Sequence, residues 1–411
     1  MRTIDTIVIG AGHAGLAVSR LLTGAGRDHV VIERGRIAER WRTERWDSLR
    51  LVNPNWMLRL PDWEYDGPEP DGYLSAGRFV RHLVQYADSF GAPVVSEATV
   101  LEVTQASSGG YRVVTDRGSW RARHVVIATG PHGAPRVPAG LGAAEVLTAN
   151  NYRSPGLLAP GGVLVIGASS SGVQIADELN RAGRQVHLSV GRHTRMPRCY
   201  RGMDIFWWLE SIGRLARTID DVPDRAAARR EPSMQLIGHR PGERPRQVDL
   251  PTLQGAGVRL LGRFDGMDGS RALFRLDLAD SAATADLRMH RLLDAVDEYI
   301  ACTGLTSEVP PAIRPPSLAA PAESVDLSMA GIGTVLVATG YRPEYPWLRL
   351  PIVGPDGYIQ QDRGITAAPG VYVVGQRFQY RRDSGFIDGA RHDSHTVVQH
   401  LLTACTVESA R

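Results

Sequence analysis

Two stretches of this 411-residue chain share one pattern: a short apolar run, a glycine-rich turn, and a segment with apolar residues at helical spacing. The first turn, GAGHAG, spans residues 10–15, and the second, GASSSG, spans residues 167–172. A strand that passes into a helix through such a turn is typical of a dinucleotide-binding unit. Because the pattern occurs twice, the sequence predicts two such units on one chain.

The first turn has the three glycines that a bound pyrophosphate requires. The first permits a tight turn, the second lets backbone N–H groups approach the phosphates, and the third lets the helix pack against the strand. Glu33 ends the next apolar run, 18 positions after the last glycine, where its carboxylate can accept hydrogen bonds from a ribose diol. This site therefore suits FAD. Its predicted cofactor-binding residues in the turn are Gly10, Gly12, His13, Ala14 and Gly15.

The second turn carries serine where the first has its middle glycine, and a serine hydroxyl can also bond phosphate. The next apolar run ends in Arg192 and Arg195 instead of an acid. Arginine there binds a 2′-phosphate that an acid would repel, which predicts NADPH over NADH. The alternative is that these arginines are simply solvated. The other residues predicted to bind this cofactor are Gly167, Ser169, Ser170, Ser171 and Gly172.

Several more stretches follow in a fixed order along the chain: Glu33-Arg34 with residues 39–42, residues 47–54, the two ATG segments, and residues 370–375. In this order they resemble the class B flavin-dependent monooxygenases of the flavin-containing (FMO) and YUCCA-like type. The resemblance implies that further residues contact the cofactors, including backbone groups of Val100 at the adenine and a helix after Phe386 that points at the isoalloxazine. These residues are Arg34, Trp41, Arg42, Val100, Ala128, Thr129, Gly130, Ala338, Thr339, Gly340, Gly375, Phe386 and Ile387.

The fold expected from the resemblance is α/β, with two Rossmann-like dinucleotide-binding domains. Residues 1–152 and 330–411 would form the FAD-binding domain, and residues 153–329 an inserted NADPH-binding domain. Alternating strand and helix patterns predict parallel sheets with helices on both faces. Residues 220–249, rich in Arg, Pro and Gly, are expected to be an exposed excursion of the second domain.

The resemblance also implies a reaction. NADPH would reduce FAD, O2 would add at flavin C4a, and the C4a-(hydro)peroxyflavin would oxygenate a small organic substrate at nitrogen or sulfur, or in a Baeyer–Villiger reaction. Asn53 is the predicted catalytic residue near C4a, because an amide donates and accepts hydrogen bonds without titrating. The alternative is that Asn53 and Pro54 belong to an ordinary turn.

One segment departs from the family pattern FxGxxxHxxxY. Tyr152 fits the last position, but Thr148 stands where the family has histidine, and Gly142 and Ala144 replace Phe and Gly. The departure leaves open how NADPH oxidation is coupled to oxygenation. Two other functions therefore stay open: an NADPH-dependent flavoprotein reductase or oxidase of a quinone-like acceptor, and a non-catalytic NADPH-sensing protein.

Cysteine usage separates this chain from the disulfide reductases, which share the two-nucleotide plan. Those enzymes pass electrons through two nearby cysteines, whereas Cys199, Cys302 and Cys405 lie far apart. Isolated thiols of this kind are expected to be buried small hydrophobes. The twelve histidines show no metal-ligand spacing, so no metal site is predicted.

Composition narrows the partners further. All 47 basic residues are arginine, which excludes lysine-dependent Schiff-base chemistry and a Walker-type loop. The net charge of +3 is small and scattered, so no nucleic-acid partner is expected. An apolar run from Ile4 leaves no room for a leader, and no run is long enough for a membrane span, so we expect a cytoplasmic protein. The expected partners are a small-molecule substrate and O2, with a possible homodimer.

Overall fold

A computed structural model describes residues 1–141, 146–243, 246–319, 325–326 and 331–409. Gly142 and Ala144 lie outside the described residues. The helices of the described part are α1 (His13–Gly24), α2 (Glu39–Thr43), α3 (Ala76–Ser89), α4 (Ser170–Arg181), α5 (Ile205–Ser211), α6 (Arg225–Arg229), α7 (Leu250–Gly255), α8 (Leu278–Cys302) and α9 (Ala390–Ser409).

The strands of the same residues, in chain order, are β1 (Arg2–Ile9), β2 (His29–Ile32), β3 (Val94–Val95), β4 (Val100–Gln105), β5 (Tyr111–Thr115), β6 (Gly118–Ile127), β7 (Ala134–Pro135), β8 (Leu147–Thr148), β9 (Gly162–Ile166), β10 (Val186–Ser189), β11 (Thr194–Arg195), β12 (Cys199–Tyr200), β13 (Met203–Asp204), β14 (Met234–Gln235), β15 (Arg259–Leu261), β16 (Phe264–Asp268), β17 (Arg271–Phe274), β18 (Val325–Asp326), β19 (Ile332–Val337), β20 (Tyr341–Arg342) and β21 (Val371–Val373).

The first sheet has the order β3-β2-β1-β6-β5-β4, and β21 pairs with the second half of β6. Its strands β1, β2, β3, β6 and β21 are parallel, while β4 and β5 add an antiparallel edge. Helices α1 and α9 pack together over one face, where Val18 and Leu401 are fully buried. The parallel sheets with covering helices confirm the predicted α/β class.

The second sheet is parallel throughout, in the order β15-β10-β9-β19-β8. It extends beyond the expected limits of 153 and 329, because β8 (residues 147–148) and β19 (residues 332–337) both belong to it. Strand β19 lies between β9 and β8, and its Leu336 is fully buried there. The chain therefore leaves the second sheet only at Ala338, after this central strand is complete.

The two segments that follow the ATG stretches run beside each other. Strand β7 pairs antiparallel with β20, so the chain enters and leaves the second unit side by side. A separate antiparallel sheet of β16, β17 and β18 lies between β15 and β19 in the chain.

Residues 220–249 match the predicted exposed excursion only in part; residues 223–226 and Arg230 are among those that are exposed. Within the described part of this stretch, Gln235 is 0% exposed and Leu236 is 1% exposed. Strand β14 pairs with β11, and the Gln235 amide donates to the carbonyl oxygen of Ala168. The stretch folds back onto the second glycine-rich turn because its few apolar and amide side chains find partners there.

The thiols also differ from expectation, because Cys199 and Cys302 are both exposed. No helix among the described residues is long and apolar enough to cross a membrane.

Candidate functional site

One large cavity of about 1590 Å³ runs between the two sheets. It reaches Gly10 and Gly12 of the first turn and Ser170 and Ser171 of the second. Single small-molecule sites usually measure 300–1000 Å³. The cavity is therefore large enough for more than one ligand, and it joins the two predicted nucleotide sites.

The first turn shows why two of its glycines are needed by the fold itself. Gly10 has φ +108°, and a Cβ there would lie 2.8 Å from the carbonyl oxygen of Ala128. A Cβ on Gly15 would lie 1.9 Å from the Gly10 oxygen. Gly12 differs, because a Cβ there meets nothing within 4 Å. No protein contact requires glycine at this position, so the space at its backbone is open to a ligand such as a dinucleotide phosphate.

The second turn repeats this geometry. Gly167 has φ +107°, and a Cβ there would lie 2.6 Å from the Ala338 oxygen, while a Cβ on Gly172 would lie 1.8 Å from the Gly167 oxygen. Ser169 takes the place of Gly12 with the same φ of −82°. Each glycine-rich turn thus packs against its own ATG segment, which explains why the chain has two ATG segments. Helix α4 begins directly after the second turn, and the partial positive charge at its N-terminus favours an anionic ligand there.

The Glu33 carboxylate closes the first turn from the side. One of its oxygens accepts the backbone N–H of Ala11 at 2.8 Å, and the other accepts that of Gly35 at 3.1 Å. The side chain is half-buried and lines the cavity. Glu33 therefore fixes the turn and stays within reach of a ligand.

A cluster of arginine and neutral histidine side chains lies between the first turn and the second unit. It contains His13, His132, Arg40, Arg45 and Arg377, which all line the cavity. Burial and the neighbouring arginines lower the pKa of the His132 imidazole to about 3, and burial lowers that of His13 to about 4. Burial also lowers the pKa of each of the three guanidinium groups.

Two polar atoms of this cluster fit an anionic ligand. The Nε2 atom of His13 and one Nη atom of Arg40 are buried without a hydrogen-bond partner among the described residues. Arg40 has a long ion pair to Glu44 at 3.6 Å. A dinucleotide diphosphate would supply the acceptor and the negative charge that the Arg40 guanidinium lacks. The neutral imidazole of His13 can donate to it in the tautomer that carries the proton on Nε2. Sequence reasoning included Arg40 in the family segment of residues 39–42 without assigning it to the cofactor. It missed Arg45 and His132, because nothing in their spacing marks them.

The loop that contains Asn53 was predicted to be either a catalytic segment or an ordinary turn, and the contacts of Asn53 and Asn55 distinguish the two. Asn55 is 1% exposed; its amide donates to the Glu69 carbonyl at 2.8 Å and accepts the Leu74 N–H at 2.9 Å. Asn53 lines the cavity, and its amide makes one hydrogen bond to a described residue, donating to the Met57 sulfur at 3.6 Å. The turn therefore depends on Asn55, and the Asn53 amide is left for a ligand.

Arg195 does not have the position that the sequence predicts for a 2′-phosphate ligand. It is 2% exposed, and its guanidinium bonds Asp249 at 2.8 Å, Asp286, and the Pro316 carbonyl at 2.6 Å. These bonds consume its charge, so the prediction for Arg195 is wrong. Arg192 is exposed and donates to the carbonyl of Arg230 at 2.7 Å, outside the cavity lining.

Arg42 is the other predicted ligand that faces away. It is exposed and donates to the Ile37 carbonyl at 3.1 Å, because it projects from the solvent face of α2. The neighbouring Trp41 and Arg40 line the cavity instead. Arg34 also lines it and pairs with Glu44 at 2.9 Å.

The remaining predicted residues divide into lining and supporting positions. Those that line the cavity are His13, Ala14, Val100, Ala128, Thr129, Gly130, Gly375, Phe386 and Ile387. Those that do not line it and belong to the two turns or to the second ATG segment are Gly15, Gly167, Ser169, Gly172, Ala338, Thr339 and Gly340.

Thr148, at the position of the family histidine, lies in edge strand β8 and is 9% exposed. It does not line the cavity. Tyr152 is fully buried and donates to Glu178 at 2.8 Å, so it is a core residue.

Comparison with known proteins supports this assignment. Residues 7–201 match the family model described as pyridine nucleotide-disulphide oxidoreductase. The chain is 27% identical over 409 residues to an uncharacterized CzcO-like oxidoreductase of Geobacillus kaustophilus, covering 97% of this chain and 98% of the relative. It is 32% identical over 426 residues to indole-3-pyruvate monooxygenase YUCCA4 of Oryza sativa, covering 96% of this chain and 87% of the relative.

A solved structure of a flavin-containing monooxygenase from Stenotrophomonas maltophilia shares the fold. The TM-score is 0.67 at 19% identity, over 98% of this chain and 100% of that chain. The two nucleotide-binding turns and the shared cavity define an oxidoreductase that uses flavin and nicotinamide cofactors. Nearly full-length similarity to YUCCA4 narrows this class, and the chain belongs to the class B flavin-dependent monooxygenases.

Proposed function

We propose that this protein binds FAD at the first turn, takes electrons from NADPH at the second, and inserts one atom of O2 into a small organic substrate. The observation that carries the proposal is the single cavity lined by both turns, since electron transfer needs the two rings in contact. The cluster around His13 and Arg40 supports FAD at the first turn, because a buried Nη atom of Arg40 has no hydrogen-bond partner among the described residues and can donate to a diphosphate.

When bound, FAD supplies the electron acceptor and the site of O2 activation. The chain's own task is to orient the rings and keep water away. Apolar side chains of Phe206, Leu209, Leu215 and Leu292 wall the cavity near the Asn53 amide. This wall favours an apolar substrate, and the amide can hold a hydrogen bond at the reacting end without changing charge.

Thr148, at the family's histidine position, bears on the choice between oxygenation and the reductase or oxidase alternative. Thr148 lies in the second sheet and not in the cavity lining. Thr148 therefore takes no part in the cavity wall, and the experiment below decides between oxygenation and the reductase or oxidase alternative.

The test is stopped-flow absorbance of the FAD-loaded protein, reduced by NADPH under nitrogen and mixed with oxygenated buffer. We expect a spectrally distinct species between reduced and oxidised flavin. In Asn53→Ala the lifetime of this species should be shorter, and more H2O2 should form per NADPH consumed. The matched control is Asn180→Ala, whose amide donates to the Ala256 carbonyl at the surface. It should behave like the unaltered protein.

Other outcomes assign other functions. Direct return to oxidised flavin with one H2O2 per NADPH, with every substrate tried, would contradict oxygenation and favour a reductase or oxidase. A protein that binds NADPH but takes up no FAD would favour the non-catalytic sensor.

A further inference from the structure

Arg59 joins three separate segments of the chain at one point. Its Nε and Nη2 atoms donate to the two carboxylate oxygens of Asp388 at 2.7 and 2.8 Å, and Nη2 also donates to Glu210 at 2.8 Å. A guanidinium that binds a carboxylate through two parallel hydrogen bonds fixes its orientation as well as its distance. Asp388 is 3% exposed and accepts a further bond from Arg391 at 2.9 Å, so its carboxylate is held on both sides.

The two acids lie directly behind two phenylalanines of the cavity wall. Asp388 comes two positions after Phe386 in the chain. Glu210 comes four positions after Phe206 on α5, and residues with this spacing are neighbours on one helix face. Both phenylalanines line the cavity, and their rings meet edge to face with centroids 5.9 Å apart. Arg59 therefore holds both rings from outside the cavity, one through each acid.

The same rings belong to the wall beside the predicted catalytic amide. The Asn53 amide donates to the sulfur of Met57 at 3.6 Å. Met57 and Phe206 are members of one buried apolar cluster, and Phe386 packs against that cluster. Arg59 follows Met57 by two positions. A shift of Arg59 would therefore be transmitted both to the ring contact and to the segment that carries the amide.

Arg59 stays charged and does not line the cavity itself. Burial lowers the pKa of its guanidinium, but the hydrogen bonds and charges of Asp388 and Glu210 outweigh this effect and raise the pKa above its usual range. The guanidinium also lies over the Trp56 ring, 5.7 Å from the ring centroid, a contact that favours the cation. Arg59 can therefore act only through the residues that it holds.

We propose that Arg59 is a positioning residue for oxygenation, which keeps Phe206 and Phe386 in contact so that this wall excludes water from the reacting end of the cavity. Water at that end would favour release of H2O2 over transfer of oxygen to a substrate. The inference rests on the proposed function and adds to it a residue outside the cavity. Motif analysis could not find Arg59, because its two acids lie 329 and 151 positions away in the chain.

The first test measures contact between water and the bound flavin, without turnover. The visible absorption band of a flavin shows resolved shoulders when the ring is kept from water and loses them when the ring is hydrated. The FAD-loaded Arg59→Ala protein should lose these shoulders. Arg59→Lys should lose them in part, because lysine keeps the charge but not the paired hydrogen bonds. Glu210→Ala, which removes only the bond to α5, should have a smaller effect in the same direction.

The second test follows the reaction with O2 by stopped-flow absorbance in the absence of substrate. The spectrally distinct species should decay at least about tenfold faster in Arg59→Ala, since a misplacement on the order of 1 Å can change a rate by about a hundredfold. Arg59→Lys and Glu210→Ala should give decay rates between those of Arg59→Ala and the unaltered protein. An increase in H2O2 released per NADPH should accompany each faster decay.

The matched control is Arg314→Ala. Arg314 also bonds two acids, Asp294 at 2.9 Å and Asp297 at 2.6 Å, and does not line the cavity. Urea denaturation should show that Arg314→Ala is destabilised, as Arg59→Ala is, whereas its absorption band and decay rate should match those of the unaltered protein. Equal effects of the two alanine variants on the decay rate would overturn the positioning role, because general loss of stability would then explain them.

The remaining outcomes are also decisive. An unchanged absorption band and decay rate in Arg59→Ala would overturn the inference and leave the proposed function standing. If Arg59→Ala does not fold or takes up no FAD, Arg59→Lys and Glu210→Ala decide by the same criteria. Absence of the distinct species in the unaltered protein would contradict the proposed oxygenation, and the absorption bands of the variants would still show whether Arg59 keeps water from the flavin.

Discussion

The Arg198 guanidinium donates to the carbonyl oxygen of Val52 at 2.8 Å, linking the second unit to the loop that carries Asn53. Arg198 is 2% exposed, and it also pairs with Asp204 at 2.6 Å. Its guanidinium lies over the rings of Tyr73 and Phe206, at 5.0 and 5.4 Å. One buried cation therefore ties the flavin-side loop to the start of α5.

Replacing Arg198 should destabilise the protein strongly. Arg198→Ala leaves the Asp204 carboxylate without its cation, and breaking a buried pair costs about 3–5 kcal/mol of unfolding free energy. Urea denaturation followed by circular dichroism measures this. Arg275→Ala, which removes an exposed pair with Asp265, should change the unfolding free energy by less than about 1 kcal/mol. Similar values for the two variants would contradict the buried link.

The first turn allows folding and ligand binding to be separated. Gly12→Ala should fold normally, because its Cβ meets no protein atom, and bind FAD more weakly, because the Cβ would crowd a phosphate at this backbone. Gly15→Ala should fail to fold or be greatly destabilised, because its Cβ would lie 1.9 Å from the Gly10 oxygen. Flavin absorbance per protein and the thermal midpoint report the two effects. Full flavin content in Gly12→Ala would refute ligand contact at that position.

Glu33 should contribute to FAD retention through the turn that it holds. Glu33→Ala removes acceptors from the N–H groups of Ala11 and Gly35, each such bond to a charged group contributing about 1.5–3 kcal/mol. We expect FAD to bind at least about tenfold more weakly, as measured by fluorescence of released flavin. Glu97→Ala, an exposed acid paired with Arg117, is the control. Unchanged retention in Glu33→Ala would exclude the role.

Asp393 should make stability depend on pH. Burial, with the nearby Asp383 carboxylate, raises the pKa of Asp393 to about 7, and the side chain is 2% exposed. An unfolded aspartate has a pKa of about 4, so the folded state binds the extra proton between pH 4 and 7. The unfolding free energy contributed by this group therefore falls as pH rises through that window and is lowest above it.

Asp393→Asn removes this penalty. The difference in unfolding free energy between the variant and the unaltered protein should be larger at pH 8 than at pH 5. Within the window it should grow in favour of the variant by about 1.4 kcal/mol per pH unit. Urea midpoints at the two pH values measure the change. Asp383→Asn, which breaks the ion pair with Arg381, should destabilise at pH 8. A stability difference for Asp393→Asn that is the same at both pH values would contradict the raised pKa.

The sequence by itself determined the two turns and the order of the segments around them. Gly10, Gly15 and Glu33 could be assigned because their tasks are local: a positive φ, a close helix contact, and an acid at the end of the adjacent strand. The same reasoning yields the α/β class, since strand, turn and helix follow each other within about thirty residues. The family was inferred from a resemblance that rests on the order of several segments along the chain.

The tertiary structure decided which charges are free. Arg195 follows β10 as a phosphate ligand should, yet Asp249 and Asp286, from distant parts of the chain, neutralise it. Arg288 lies far from any motif and still reaches the cavity. Whether a guanidinium binds a ligand or a carboxylate depends on which acids pack beside it, and that is fixed only when α8 and the second sheet come together.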